Sequence, residues 1–407
     1  MKKSQKFSMP TLEQRFSIHY RFPVFFHSNV FRCHDELLAS VFARAGTSPH
    51  RFSCFVDSGV LDEDPGLVGR IEEYARHNSQ VMQLCGPVTR VEGGEASKAD
   101  STIVDRVVEY VKDYRLCRHS FVLAIGGGAV LDAVGYGAAI AHRGIRLIRM
   151  PTTVLAQNDA GVGVKNGING LGRKNFIGTF APPFAVINDF DFLATLPPRE
   201  MRAGISEAVK VALIKDEDFF TYLYENRAEL AAFKSGPMEE MIHRCAALHM
   251  SHIGSGGDPF ELGSARPLDF GHWSAHHLEE ITGGLLNHGE AVSIGMALDS
   301  LYSQAIGLIG EEDLRTILSL LADLGLPLWH SSLARLDLEG ALGAFQEHLG
   351  GDLAITLLTG IGSKKEVNSI DTAIMRECLE KLKHCRQETS AAADPLTTAA
   401  TLEGRPQ

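Results

Sequence analysis

The 407-residue chain lacks any apolar run near the roughly 18 residues that a membrane-spanning helix requires. It also lacks an excess of positive charge: 39 Lys and Arg stand against 50 Asp and Glu, a formal net charge of −11. A duplex nucleic-acid binder needs a basic face, so that class is disfavoured, whereas a small anionic ligand in a local Lys/Arg pocket is not. The seven cysteines are odd in number and include no Cys-x-x-Cys pair, the pattern of reduced cytoplasmic thiols. The basic start Met1-Lys2-Lys3 leads into polar residues, with no apolar segment of the secretory kind.

What is present is an ordinary globular composition, with 44% hydrophobic residues and a length that favours two domains. In the first half, short β-rich runs at Phe22 to Phe26, Phe52 to Val56, Gln80 to Leu84, Phe121 to Ile125 and Ile145 to Met150 alternate with helical stretches such as Leu67 to His77 and Ile103 to Leu116. That alternation predicts a mainly parallel, Rossmann-like α/β domain over 1–189. Beyond Asp189 the texture turns helical. Glu200 to Lys215, Met238 to Met250, Trp273 to Ile281, His288 to Ile306 and Glu311 to Leu324 predict a mostly α-helical domain over 190–386, with one strand near Leu353 to Leu358. The Ala-, Thr-, Pro- and Gly-rich stretch 387–407 reads as a disordered tail.

Chemistry concentrates in four places. Phe121 to Ile125 runs into Gly126-Gly127-Gly128 and then a helix-compatible segment, so the turn could offer free N–H groups to a pyrophosphate. Leu131 breaks the full dinucleotide glycine pattern, and a purely structural turn fits equally well. The stretch Pro151 to Asp159, continuing to Lys165, Asn169, Lys174 and Asn175, reads as a polar loop at the carboxyl edge of the sheet, suited to a phosphorylated ligand. Glu207 and Lys210 share a helix face, and read alone their spacing favours a wet surface ion pair. Finally, Phe270-Gly271-His272-Trp273-Ser274-Ala275-His276 and Asn287-His288-Gly289-Glu290 could bring three imidazoles together. With a carboxylate they suit Zn²⁺ and leave a position for a substrate oxygen.

Taken together these segments resemble the 3-dehydroquinate synthase and sugar-phosphate cyclase family. The match is ordered from Gly94-Glu95-Ala96-Ser97-Lys98 to Leu286-Asn287-His288-Gly289-Glu290. It is most specific at Pro151 to Asp159, Gly172 to Gly178, Leu196 to Glu200 with Gly204 to Lys210, and Phe270 to His276. The resemblance implies bound NAD and a divalent metal, Zn²⁺ or Co²⁺, held by Glu207, His272 and His288. It places Asp57, Glu95, Lys98, Gly127, Gly128, Asp132, Thr152, Thr153, Lys174 and Thr195 around the cofactor. Asp159, Lys165, Lys210 and His276 would be catalytic, with Asn175, Arg266 and Asp269 beside the substrate and Lys174 within its reach. Arg143 would cross a homodimer interface into the partner's site. The implied reaction turns a heptulose or heptulosonate 7-phosphate into a carbocycle, eliminating phosphate through transient NAD-dependent oxidation.

The chain also departs from the family. Leu248-His249-Met250-Ser251-His252 contains no lysine for a substrate carboxylate, and Arg266 lies one residue closer to His272 than the pattern has it. Asp269 stands where the family has asparagine, and Glu347 to Asp352 replaces an Asp-Lys-Lys run. A buried carboxylate without its cation is costly, so either Arg266 supplies a replacement partner through a shift of its loop, or the pocket suits a non-carboxylated substrate such as sedoheptulose 7-phosphate. A metal-dependent polyol dehydrogenase and an inactive scaffold subunit are the other readings to separate.

Overall fold

The computed structural model describes residues 12–46, 49–255, 259–260, 268–349 and 351–392. Arg266 and residues 393–407 of the expected tail lie outside them, while its first residues, 387–392, are the last turns of helix Thr372–Ala392 and correct the expected start of the tail. The first half is a seven-stranded sheet. Its strands are β1 (Val24–His27), β2 (His50–Asp57), β3 (Met82–Leu84), β4 (Thr89–Val91), β5 (Phe121–Gly126), β6 (Arg146–Pro151) and β9 (Ala185–Asp189). The order is β1-β9-β6-β5-β2-β3, with β4 also on β2, and every pairing is parallel. Parallel strands require crossovers, and helices Leu67–His77, Thr102–Asp113 and Gly128–Ile140 supply them. Side chains of β5 alternate between two apolar layers: Phe121, Leu123 and Ile125 enter one, Val122 and Ala124 the other. A strand buried on both faces reads as an unbroken apolar run, as Phe121 to Ile125 does.

The stretch expected as a polar loop is instead ordered structure. Val154–Asn158 is a short helix capped by the Thr153 hydroxyl, which accepts from the Ala156 N–H. An antiparallel ribbon follows, made of β7 (Lys165–Gly170) and β8 (Arg173–Phe180). Leu171 and Gly172 form its two-residue turn, both with positive φ (51° and 77°), the combination that matches the twist of a hairpin. Gly- and Asn-rich β7 and wholly exposed β8 carry no inside-outside alternation, so pattern reading missed both.

The second half packs helices Pro198–Lys215, Ser235–Ser255, His272–Ile281, His288–Ala305 and Glu311–Asp323 around one apolar core. The single late strand expected is one half of a hairpin, β10 (Ile355–Gly360) with β11 (Ser363–Val367). Helix His288–Ala305 runs through the centre, buried nearly all round. Among the described residues, no helix is long and apolar enough to cross a membrane. Cys33, Cys54, Cys85, Cys117, Cys245 and Cys378 are free thiols.

Candidate cofactor and metal site

The chain runs from β2 outward to β3 and β4, then returns to place β5 on the other side of β2. Such a reversal opens a crevice at the carboxyl ends of the two strands, the usual seat of a dinucleotide in open α/β sheets. Gly126 ends β5, Gly127 caps the next helix, and Gly128 begins it. Asp57 ends β2 beside them, with its side chain accepting from the Gly59 N–H at 2.8 Å. Burial raises the Asp57 pKa, against the pull of hydrogen bonds from Gly59 and Gly127. A Cβ on Gly93 would fall 2.1 Å from the same carboxylate, so the opposite wall is backbone. Lys98, on the 3₁₀ turn Glu95–Lys98, pairs with Asp132 of helix Gly128–Ile140 at 2.7 Å. Thr152 is buried directly after β6. The Thr195 hydroxyl is committed to Phe192 O at 2.7 Å.

Across from this crevice, helix Pro198–Lys215 is apolar and buried from Ala203 to Ile214, yet Glu207 and Lys210 sit within that stretch. Their spacing does put them on one face, but that face is dry: Glu207 is 0% and Lys210 3% exposed, correcting the expectation of a wet surface pair. Lys210 Nζ contacts Glu207 Oε2, and burial, which alone would raise the Glu207 pKa, is overcome by Lys210 and His288, holding it at about 2. Neither Glu207 oxygen receives a well-directed hydrogen bond. A buried ionised carboxylate left so is expensive unless a further cation shares it.

His272 and His288 complete that environment. Their Nε2 atoms lie 4.0 and 3.6 Å from Glu207 Oε1, and one ligand atom from each of the three residues falls within 4.8 Å of the others. His272 Nδ1 is 3.0 Å from Phe270 O; donating its proton there leaves Nε2 with a free lone pair aimed at Glu207. Burial, then Lys210, hold the His272 pKa well below its ordinary value, so the ring is neutral, as a ligand must be. Burial would also lower His288, but Glu207 and Glu279 outweigh it and raise it to about 10. A metal ion would displace that proton. Glu279 stands 3.5 Å from His288 Nδ1 and 3.2 Å from Lys174 Nζ, a carboxylate behind an imidazole of the kind that orients metal ligands. A carboxylate and two imidazoles, one with its tautomer fixed, fit a divalent ion such as Zn²⁺.

Backbone contact brings the helices close enough. Asn287 caps helix His288–Ala305 in a reciprocal box with Glu290, and Glu290 also takes Arg199 at 2.8 and 2.6 Å from the start of the Glu207 helix. A Cβ on Gly289 would lie 2.1 Å from Ala203 O. Gly289→Ala must therefore push the two helices apart, with an expected cost of about 2 kcal/mol in urea unfolding, alongside weaker metal retention. A variant of unchanged midpoint and metal content would contradict this close-approach role.

The remaining expected residues divide by exposure. His276 is near the cage, its ring centroid 5.5 Å from that of His272 and 6.4 Å from that of His288. Asp159 pairs with His249 at 2.9 Å; burial would raise its pKa, but His249 overrides this and holds it at about 2. Asp269 is close enough to help raise the Lys210 pKa, a shift set by Glu207 and Asp159 against the lowering effect of burial. Lys165, Lys174 and Asn175 line the exposed ribbon. Arg143 is exposed, beyond the end of helix Gly128–Ile140.

Sequence reading missed four residues. Glu279 follows His272 by seven residues, so helical periodicity could have found it. His249 was in view only as a missing lysine. Asp299, fully buried, accepts from the Gly271 N–H (3.0 Å) and Trp273 Nε1 (2.8 Å), bracing both sides of His272. Arg149, in the middle of β6, carried no local signal at all.

A dinucleotide crevice at a sheet switch point, facing a carboxylate and two imidazoles carried on helices, defines the class of nucleotide- and metal-dependent α/β enzymes. Models of the 3-dehydroquinate synthase N-terminal and C-terminal regions match residues 88–203 and 204–348. The chain belongs to the 3-dehydroquinate synthase family. It is 36% identical over 300 residues to a 2-epi-5-epi-valiolone synthase of Streptomyces glaucescens, covering 72% of this chain and 76% of that one. With a 3-dehydroquinate synthase of Xylella fastidiosa it shares 38% over 358 residues, covering 82% and 96%. The solved 2-epi-5-epi-valiolone synthase of Streptomyces hygroscopicus, with NAD⁺ and Zn²⁺ bound, superposes with a TM-score of 0.80 at 28% identity, covering 92% of this chain and 100% of that one.

Proposed function

We propose that the chain is an NAD- and metal-dependent cyclase acting on a heptulose 7-phosphate without a carboxylate, of the sedoheptulose 7-phosphate class. The observation that carries this reading is the charge at the rim of the site. Asp269 places a carboxylate by Lys210, while His249, in the segment without the family's lysine, is paired with Asp159. A substrate carboxylate arriving there would meet like charge, and like-charge juxtaposition costs several kcal/mol.

Bound in the crevice beside Gly127 and Gly128, NAD would supply reversible hydride acceptance, and a divalent ion held by Glu207, His272 and His288 would supply Lewis acidity. The chain's own side chains do the rest. Lys165, Lys174 and Asn175 on the β7–β8 ribbon bind the phosphate, and Lys210 orients a hydroxyl next to Glu207. His276 holds and moves a proton at the reacting hydroxyl, sharing that work with the departing phosphate. Glu279 keeps the His288 ring in place. Arg143, exposed beyond helix Gly128–Ile140, would serve a second copy in a homodimer.

The test offers sedoheptulose 7-phosphate and the carboxylated heptulosonate 7-phosphate in parallel, following phosphate, NADH absorbance and product mass. Phosphate release without net NADH is expected, with kcat/KM for the carboxylated compound lower by about 100-fold, or ~2.7 kcal/mol. Asp269→Asn should narrow that gap. Preference for the carboxylated compound would overturn the substrate assignment. Stoichiometric NADH would identify a polyol dehydrogenase, and no turnover of any kind a scaffold.

A further inference from the structure

A second group of metal-ligating side chains lies apart from the Glu207 cage and shares no residue with it. Cys33, His34 and His77 each direct one ligand atom into a common space, all within 4.8 Å of one another. The two imidazole rings stand edge to face with centroids 5.2 Å apart. Cys33 and His34 lie on the segment after β1, and His77 ends helix Leu67–His77.

Both carriers are held rigidly by contacts that involve none of the three side chains. The Asp189 carboxylate accepts from the Asn29 and Val30 N–H groups at 2.9 and 2.8 Å. Successive turns, Arg32 N to Asn29 O (3.0 Å) and Asp35 N to Arg32 O (2.8 Å), enclose Cys33 and His34. Tyr74, buried one turn before His77, donates its hydroxyl to Asp35 O at 2.7 Å and accepts from Ala39 N–H at 3.1 Å. The loop is thereby pinned to β9 ahead of Cys33 and His34, and to the helix that carries His77 just after them. Preorganisation of this kind separates a built site from a chance meeting of surface side chains.

We propose that Cys33, His34 and His77 form a second, peripheral metal site for a borderline-soft divalent ion of the zinc class, with its remaining coordination position open to water. One thiolate and two imidazoles favour Zn²⁺ or Co²⁺, while the absence of carboxylate oxygen from the set disfavours Mg²⁺ and Ca²⁺. Cys33 and His77 are exposed to partial or full extent, so the ion can enter without unfolding. Binding releases the thiol proton to solvent and changes no oxidation state.

The full chain, stripped with a chelator, reloaded with Co²⁺ and desalted, is the material for the test. Two ions per chain are expected, one for each ligand group, with a thiolate-to-cobalt charge-transfer band in the near ultraviolet. Cys33→Ser should lose the band and one ion while keeping cyclase turnover, and His77→Gln should lose the same ion. His272→Ala should instead lose the other ion and keep the band, and Cys117→Ser, altering another exposed thiol, should change nothing. No thiolate band in the parent, or an ion count left unchanged by Cys33→Ser, would each overturn the proposal. Because turnover is read separately, failure here leaves the cyclase assignment standing, and failure of the cyclase assignment leaves the thiolate band and the ion lost with Cys33 unaffected.

Discussion

Alanine at His272 or at His288 is expected to abolish metal retention and turnover together. Each imidazole supplies one of the two histidine ligands grouped with Glu207 among the described residues, and the remaining pair of ligands cannot close a stable site. A divalent ion contributes several kcal/mol to stabilising charge at a reacting oxygen, so a fall in turnover of roughly 1000-fold or more is expected. Metal analysis after desalting and phosphate release on the same sample provide the check. Glu207→Gln should behave likewise, with the added cost of stranding Lys210 in a dry helix face. Full turnover by a metal-free variant would refute the cage as the reaction centre.

The second large effect is expected at Arg149, which is 0% exposed in the central strand β6. Its guanidinium donates to Ala160 O and Gly161 O at 3.3 Å, Gly163 O at 3.1 Å, and Lys165 O and Asn166 Oδ1 at 2.7 Å. One planar fork thus gathers the segment that joins Asp159 to Lys165, and desolvation lowers its pKa against the support of Asp132. Arg149→Met leaves several buried carbonyls without donors. Each orphaned acceptor costs about 1–3 kcal/mol, partly recovered by relaxation, so a total near 4 kcal/mol is expected in urea unfolding. Turnover should fall as well, because Asp159 and Lys165 lose their common anchor. Arg149→Lys should recover little, since an ammonium cannot span acceptors spread along that segment. An unchanged unfolding midpoint in Arg149→Met would contradict this account.

The two imidazoles and the buried arginine differ in how far the sequence reveals them. His272 and His288 announce themselves, because each stands beside a glycine in a short stretch of unusual composition. The β5 run and the helix at Leu67–His77 were legible for a similar reason, their periodicity being local. Arg149 could not be read in this way. An arginine in the middle of a largely apolar strand gives no hint that five acceptors from a later segment will surround it. The Glu207–Lys210 pair illustrates a different limit: spacing establishes a shared helix face, whereas only tertiary packing decides whether that face meets water. The β7–β8 ribbon escaped because its order comes from pairing and a positive-φ turn: β8 is exposed throughout, and the buried residues of β7, Asn166, Gly167 and Ile168, are consecutive and write no alternation.

The glycine contacts around the cage have a consequence for how this architecture can vary. A Cβ on Gly295 would come within 2.0 Å of Gly271 O, and one on Gly204 within 2.4 Å of the Val154 side chain. Where main chains touch, substitution has nowhere to go, so the ion's surroundings are closed to drift. The rim side chains Asp269 and His249 are partly exposed, under no such backbone-to-backbone constraint, and can be exchanged. Divergence in what is recognised is thereby channelled to the rim, while the machinery beneath it stays fixed.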